Sequence, residues 1–375
     1  MFTIYNQSEW ADIIKNRPKF DLSIKEEIWE RTRGYDVPLV EITQTDAETD
    51  FQSLKNLNTL PLIKEGELFS RYDYKWELGT KYIDSCNVGN KSSNFFHQDL
   101  RYKCDSINSP SPYRTWHTKK FFMTLLNALW TLKVKEVTSD TLRTCIAMRK
   151  YIASQFRPSA AKTLYDHFNA ESVLDFSSGW GDRLNGAMAS QTVKTYIGID
   201  PNDNLYDSYN QQMNLFNSDK TIEMNCFPAE DFLPSYNQTE FDFIFTSPPY
   251  FIIERYSKEN NQSWQRYKKI DKWLSLFLFP VIESSWRQLK TGGHIAINIS
   301  DVYCNHTINR ICDPMNDFIS TLPNSIKSEN INYRMAKRMG SNSDRSGIFV
   351  EPVWIWKKQF NILDTILYTD EKKLV

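Results

Sequence analysis

Four polar signatures close apolar segments of this chain, and each suits one part of a nucleoside-bearing ligand. Ser247-Pro248-Pro249-Tyr250 ends the apolar run 241–245. Two prolines remove two N–H donors and lock φ, so carbonyl acceptors stand there without neighbouring donors. Ser247 Oγ adds an acceptor and Tyr250 a flat face. That set suits a neutral aromatic amine on a planar ring, held by stacking and by hydrogen bonds to both amine protons. The alternative is an ordinary Pro-Pro turn. The second signature is Asp175-Phe176-Ser177-Ser178-Gly179-Trp180-Gly181-Asp182. Glycines after a strand let backbone approach a ligand closely. The order is not G-x-G-x-x-G and carries no Walker lysine, so a phosphate cradle is not indicated. Asp175 is placed to accept from an ammonium group. Asp200, about 20 residues after the glycines, is placed for ribose hydroxyls, or else caps a helix beginning near Asp203. In Ala229-Glu230-Asp231-Phe232, Asp231 suits an exocyclic adenine amine, with an apolar side chain against the ring. Taken alone, that segment is a surface turn.

Alternating strands and helices are needed to bring these ends together. The apolar runs 172–176, 195–199, 222–224, 241–245 and 294–299 predict strands, with helices expected over 159–167, 183–190, 203–217 and 271–289. The last helix is expected to stop at Gly292-Gly293. Such alternation implies a parallel sheet covered on both faces, with ligands beyond its carboxyl ends. Segment 331–357 reads as a hairpin turning at 340–347, whose second strand, 348–356, adds an antiparallel edge. Upstream, helical spacing marks 117–134 and 137–155. The division expected is an N-terminal, mostly helical domain over 1–150 and an α/β domain over 151–375.

Composition narrows the class. Aromatics are 14% with 11 Trp, too rich for a disordered chain. No apolar run reaches the length of a membrane span, and the N-terminus lacks the basic start and apolar core of a signal peptide. A cytoplasmic protein is expected. The six Cys form no C-x-x-C pair and read as reduced thiols, with no metal site. Residues 101–162 carry a net charge of +9 and residues 163–256 one of −10. The basic block interleaves Tyr113, Arg114, Trp116, Lys119 and Lys120, a mixture suited to an unpaired nucleic-acid substrate. Two docked complementary surfaces are the alternative.

Residues 155–357 resemble the catalytic domain of class I S-adenosylmethionine-dependent amino-methyltransferases acting on DNA bases, including phage and viral forms. FRPSAAKTLYDHF (156–168), DFSSGWGDR (175–183), IGIDPN (197–202), AEDF (229–232) and TSPPY (246–250) carry the resemblance. It implies a Rossmann-like fold and S-adenosyl-L-methionine as cofactor. It places Phe156, Arg157, Asp175, Ser177, Gly179, Gly181, Asp200, Pro201, Glu230, Asp231 and Phe232 around the cofactor, and Ser247, Pro248, Pro249 and Tyr250 at the target amine. Tyr250 would stack on the base through its ring, its hydroxyl having no assigned role.

In that superfamily Asp at the first motif position accompanies N6-adenine targets and Ser accompanies N4-cytosine targets. TSPPY therefore implies cytosine in DNA, with N6-adenine in DNA or RNA as the alternative. A non-catalytic nucleic-acid-binding subunit is a third reading, disfavoured by the intact motifs. Only 14 residues separate Asp231 from Thr246, too few for a recognition domain. Reading of the nucleic acid is expected from the N-terminal region, with Arg114, Lys119 and Lys120, and from Arg255.

Overall fold

The computed structural model describes residues 1–16, 21–237, 240–336 and 345–360. These fall into two compact units. One comprises Met1–Ile42, Gln98–Ser154 and Glu254–Tyr256; the other comprises Thr43–His97, Gln155–Ile253 and Ser257–Val375.

The second unit is built on a seven-stranded sheet. Its strands are β1 Ser172–Asp175, β2 Thr195–Ile199, β3 Thr221–Asn225, β4 Phe241–Thr246, β5 Leu289–Asn298, β6 Ser325–Lys327 and β7 Val353–Lys358, in the order β6-β7-β5-β4-β1-β2-β3. β1 to β5 run parallel, and β7 lies antiparallel between β5 and β6. This is the Rossmann-like class I arrangement. Val173, Leu174, Tyr196, Phe243, Phe245, Ile295, Ala296 and Ile355 are fully or almost fully buried. Apolar side chains on both faces explain why these strands read as continuous runs rather than alternations. Helices Pro158–His167, Asp182–Ala189, Tyr206–Phe216 and Phe279–Gln288 connect or flank the strands.

Three details depart from the sequence expectation. The helix expected over 271–289 is split into Ile270–Trp273, a π turn over Leu274–Leu278, and Phe279–Gln288. Pro280 has no N–H to give the preceding turn, and the π turn absorbs that loss. β5 begins at Leu289, ahead of Gly292-Gly293. Its register against β4 slips between Leu289 and His294, with Gly292 at φ 86° inside the bulge. The expected second hairpin strand breaks at Pro352. Ile348–Glu351 pairs with Ile331–Arg334 in a smaller sheet, whereas β7 joins the large one. Proline cannot donate to a ladder, so the chain changes sheets there. Residues 340–344 of the expected turn lie outside the described residues.

The smaller sheet orders Ile63–Glu65, Lys81–Ile83, Ile331–Arg334, Ile348–Glu351 and Leu68–Phe69. Residues 43–97 thus belong with the α/β unit: Lys81–Ile83 and Leu68–Phe69 pair with the C-terminal hairpin, and Ile63–Glu65 pairs with Lys81–Ile83.

The first unit is mainly helical: Gln7–Asn16, Leu22–Thr32, Pro112–His117, Lys119–Leu125, Asn127–Thr131 and Ser139–Arg149. They enclose Trp10, Ile24, Ile28, Phe122, Leu126, Leu129 and Ile146. Short strand Asp105–Ser106 pairs with Glu254–Arg255.

Candidate active site

The carboxyl ends of β1 to β5 form the candidate site. After β1 the chain turns through Gly179 at φ 57° and Gly181 at φ 67°. Gly181 caps helix Asp182–Ala189 in the left-handed region. A Cβ there would stand 2.5 Å from both Gln212 Oε1 and His97 Nε2, so both conformation and space require glycine. His97 and Gln212 are themselves fully buried and 2.9 Å apart, and Gln212 donates to the Gly181 carbonyl at 3.1 Å.

Asp175 is fully buried. Its Oδ2 accepts from Arg183 Nε at 2.7 Å and from Tyr196 Oη at 2.8 Å, and Oδ1 accepts from Ser177 N at 3.2 Å. Arg183 also donates to the Ser177 carbonyl. Asp175 is therefore an internal anchor that shapes the 176–181 loop, rather than an open carboxylate. A buried pair of this kind orders its surroundings more than it stabilises the fold. Phe156 stacks on Tyr333 at 4.9 Å and meets Phe245 edge-on at 5.3 Å. Arg157 lies over the Tyr333 ring at 4.8 Å and donates to the Arg334 carbonyl.

Asp200 follows β2 and accepts from the N–H groups of Gly179 and Asn202, each at 2.9 Å. The carboxyl is only partly accessible. Burial pushes its pKa up to about 6, with the two N–H donors opposing. Asn202, rather than Asp200, caps the short turn that follows. After β3, Glu230 and Asp231 share Arg266. Its Nη1 lies 2.9 Å from Glu230 Oε1 and 2.7 Å from Asp231 Oδ2, and Nη2 lies 3.0 Å from Asp231 Oδ1. Asp231 is exposed and Glu230 is the more buried. Phe232 stacks on Phe227, 52% exposed, at 5.6 Å. Neither Arg266 nor Phe227 is marked by the sequence: Arg266 lies 35 residues away in a polar stretch.

At the end of β4, Ser247 Oγ donates to Asn298 Oδ1 at 3.4 Å. Asn298 ends β5 and donates to the Pro352 carbonyl at 3.0 Å. The Tyr250 hydroxyl lies near the Glu351 carboxylate. Burial, then the Glu351 carboxylate, push that hydroxyl's pKa up. Only a lone acid in an otherwise apolar strand hinted at Glu351.

Residues 241–373 match the family described as DNA methylase. That segment is the DNA methylase part of the chain. Its methyl donor is S-adenosylmethionine, and its substrate class is nucleic acid. No curated protein matches this methyltransferase. Among solved structures it is similar to the O-methyltransferase TomG from Streptomyces achromogenes, with 10% identity over 63% of this chain and 88% of that one, at a TM-score of 0.36. It is also similar to an rRNA methylase from Streptococcus thermophilus, with 15% identity over 56% and 100% of the respective chains, at a TM-score of 0.34. Likeness this distant carries nothing about chemistry.

The residues of this methyltransferase fit the cofactor. A positive-φ glycine loop leaves backbone open beside β1, and a partly accessible carboxylate with spare lone pairs stands at β2. An aromatic pair beside Asp231, Phe227 exposed and Phe232 half-buried, follows β3.

The expected nucleic-acid residues lie in the first unit. Arg114 pairs with Asp105 at 3.2 Å and sits over Phe121 at 5.5 Å. Lys119 lies 3.4 Å from Glu26, both about half exposed, while Lys120 and Arg255 are exposed. Lys150 covers Phe121 at 5.8 Å, and Lys103 covers the exposed Tyr113 at 5.5 Å. No helix among the described residues is long and apolar enough to cross a membrane.

Proposed function

We propose that this methyltransferase methylates the exocyclic amine of a nucleobase, N4 of cytosine in DNA. The observation that supports it most is the direction of the Ser247 hydroxyl. Asn298 Oδ1 takes its proton on the protein side, which leaves Oγ lone pairs for an incoming amine. The Pro248 carbonyl supplies a second acceptor, because Pro249 has no N–H to occupy it.

An exocyclic amine is a poor nucleophile while its lone pair is delocalised into the ring. Ser247 and Pro248 accept its two N–H bonds, draw the nitrogen toward tetrahedral geometry and free the lone pair. S-adenosylmethionine would supply an electrophilic methyl on a sulfonium that departs as a neutral thioether, and the methylated nitrogen then loses one proton to water. Alignment of the amine by these residues accounts for much of the rate. The target base leaves its stack, or arrives unpaired, and lies on Tyr250. Asp200 and Pro201 take the ribose side, and Asp231 with Phe232 and Phe227 takes the adenine, with Glu230 holding Arg266. Gly179, Gly181, Phe156, Arg157 and Ser177 surround the methionine portion, and Asp175 acts on it indirectly through the loop it anchors.

We assign nucleic-acid contact to the basic block 101–162, where cations border the Tyr113 and Phe121 rings. Such surfaces hold backbone by charge and bases by stacking. Incubation of the protein with DNA or RNA and labelled cofactor, followed by mass spectrometry of nucleosides, tests this reading. N4-methylcytosine in DNA is expected. N6-methyladenine would move the target while keeping the amine chemistry. Cofactor binding without any methylated nucleoside would refute the enzymatic reading in favour of a nucleic-acid-binding subunit.

A further inference from the structure

Downstream of Ser247–Tyr250, residues 257–267 form the polar stretch Ser257-Lys258-Glu259-Asn260-Asn261-Gln262-Ser263-Trp264-Gln265-Arg266-Tyr267. Connecting segments of this composition usually run loosely over a surface. This one closes on itself and is tied down at two places. Trp264 Nε1 donates to the Ser257 carbonyl at 3.1 Å, and the N–H groups of Gln262 and Arg266 donate to the carbonyls of Glu259 and Gln262. Gln262 and Ser263 are buried. At the first tie, Asn261 Nδ2 donates to the Pro201 carbonyl at 2.8 Å, and Glu259 Oε1 accepts from Asn204 Nδ2 at 3.3 Å. Pro201 and Asn204 follow β2. At the second tie, Arg266 donates to both oxygens of Asp231, at 2.7 and 3.0 Å, and lies 2.9 Å from Glu230. Those acids follow β3. β2 and β3 are parallel neighbours, so both ties lie at the carboxyl end of the sheet. A segment held to one strand end by Asn261 and to the next by Arg266 crosses the gap between them.

We propose that segment 257–267 is a strap across the adenosine half of the cofactor site, pinned by Asn261 and Arg266, and that it retains the bound cofactor. This rests on the placing of ribose at Asp200 and adenine at Asp231 given above. Arg266 has a second effect there. The Asp231 side chain is 52% exposed and would otherwise turn freely. The guanidinium fork takes a lone pair from each oxygen and fixes the carboxylate plane, which leaves further lone pairs for the adenine amine. Asn261 likewise fixes the carbonyl of Pro201, the residue directly after Asp200. Neither tie is a strong device for stability. One is a single neutral hydrogen bond and the other is centred on an exposed carboxylate. Their placing at both cofactor-facing strand ends instead links the strap to the ligand. The nucleoside must pass the strap to leave, so loosening either tie raises the dissociation rate.

The test reads S-adenosylhomocysteine binding to the full chain by stopped-flow association and dissociation, with urea unfolding on the same proteins and amide hydrogen exchange with and without the ligand. In the wild-type protein, exchange over 257–267 should slow when the ligand binds. Asn261→Ala and Arg266→Gln should each raise the dissociation rate by roughly three- to tenfold, the range for one hydrogen bond, with association within about twofold. Arg266 also neighbours the buried Glu230, so its variant can lose stability; Asn261→Ala removes only a half-buried amide and keeps the test intact. A lowered urea midpoint with an unchanged dissociation rate in both variants would reduce the ties to a folding role and overturn the strap. So would unchanged exchange over 257–267 while exchange over 176–181 slows. Asp200→Asn and Phe227→Ala both binding at wild-type affinity would overturn the placing of the nucleoside instead.

Discussion

Cofactor affinity should depend on pH through Asp200. In the free protein, burial holds this carboxyl protonated up to a pKa of about 6. Ribose hydroxyls donate to the ionised form and lower that pKa, so binding releases a proton. Affinity is therefore full above pH 6 and falls as the pH drops through it. With one linked proton, the dissociation constant should rise by roughly tenfold between pH 7 and pH 5. The sign for stability is the opposite. A carboxyl whose folded pKa is raised stabilises the free protein below the ordinary carboxylate range and loses that contribution as pH rises through 6. The loss at pH 7 is bounded by about 3 kcal/mol from the size of the shift, and partial access to water keeps it below that bound. Isothermal calorimetry with S-adenosylhomocysteine at pH 5, 6 and 7 reads the linkage in two buffers of different ionisation enthalpy. Asp200→Asn should bind more weakly at pH 7 and show little pH dependence. That control separates Asp200 from His167 and His294, whose pKa values burial lowers, the latter to about 4. A wild-type affinity that changes less than twofold between pH 7 and pH 5 would refute the argument, as would an Asp200→Asn protein with the wild-type slope.

Arg183→Ala strands the fully buried Asp175 without its partner, and chemical denaturation should show a loss of about 3–5 kcal/mol. Ser247→Ala should leave cofactor affinity unchanged and lower single-turnover methyl transfer by roughly tenfold or more, since it removes an acceptor that matters most in the transition state; transfer at the wild-type rate would sink the amine-site assignment. Replacing Lys119 and Lys120 together by Gln should weaken DNA binding and reduce the salt slope by roughly 0.9 per lost phosphate contact. The exposed Lys119–Glu26 pair does not prevent this, because such pairs contribute little. Wild-type affinity and slope in that variant would make both lysines ordinary surface residues.

The parallel sheet and the placing of its polar ends were legible from the chain alone. Each strand is a short apolar run bounded by its own turn signals, and each of Asp175, Asp200 and Ser247 follows its run directly. Those relations are local, so pattern and spacing carry them. The Gly179 and Gly181 turn was legible for the same reason, since the need for positive φ is met within the loop. Partnerships between distant segments were not. Arg266 reaches Glu230 and Asp231 from a polar stretch that resembles any solvated loop. Asp175 looks open in sequence, yet Arg183 and Tyr196 enclose it once the helix and β2 pack against β1. Strands of two or three residues at 68–69 and 81–83 have no periodicity to detect, and the hairpin they pair with makes them strands. The sheet change at Pro352 decides where Glu351 lands, because it places the start of β7 against the end of β5. What local propensity and alternation determine is which segments fold and where each ends. Which end meets which depends on long-range pairing, and there the contacts of Ser247, Asn298 and Pro352 were decided.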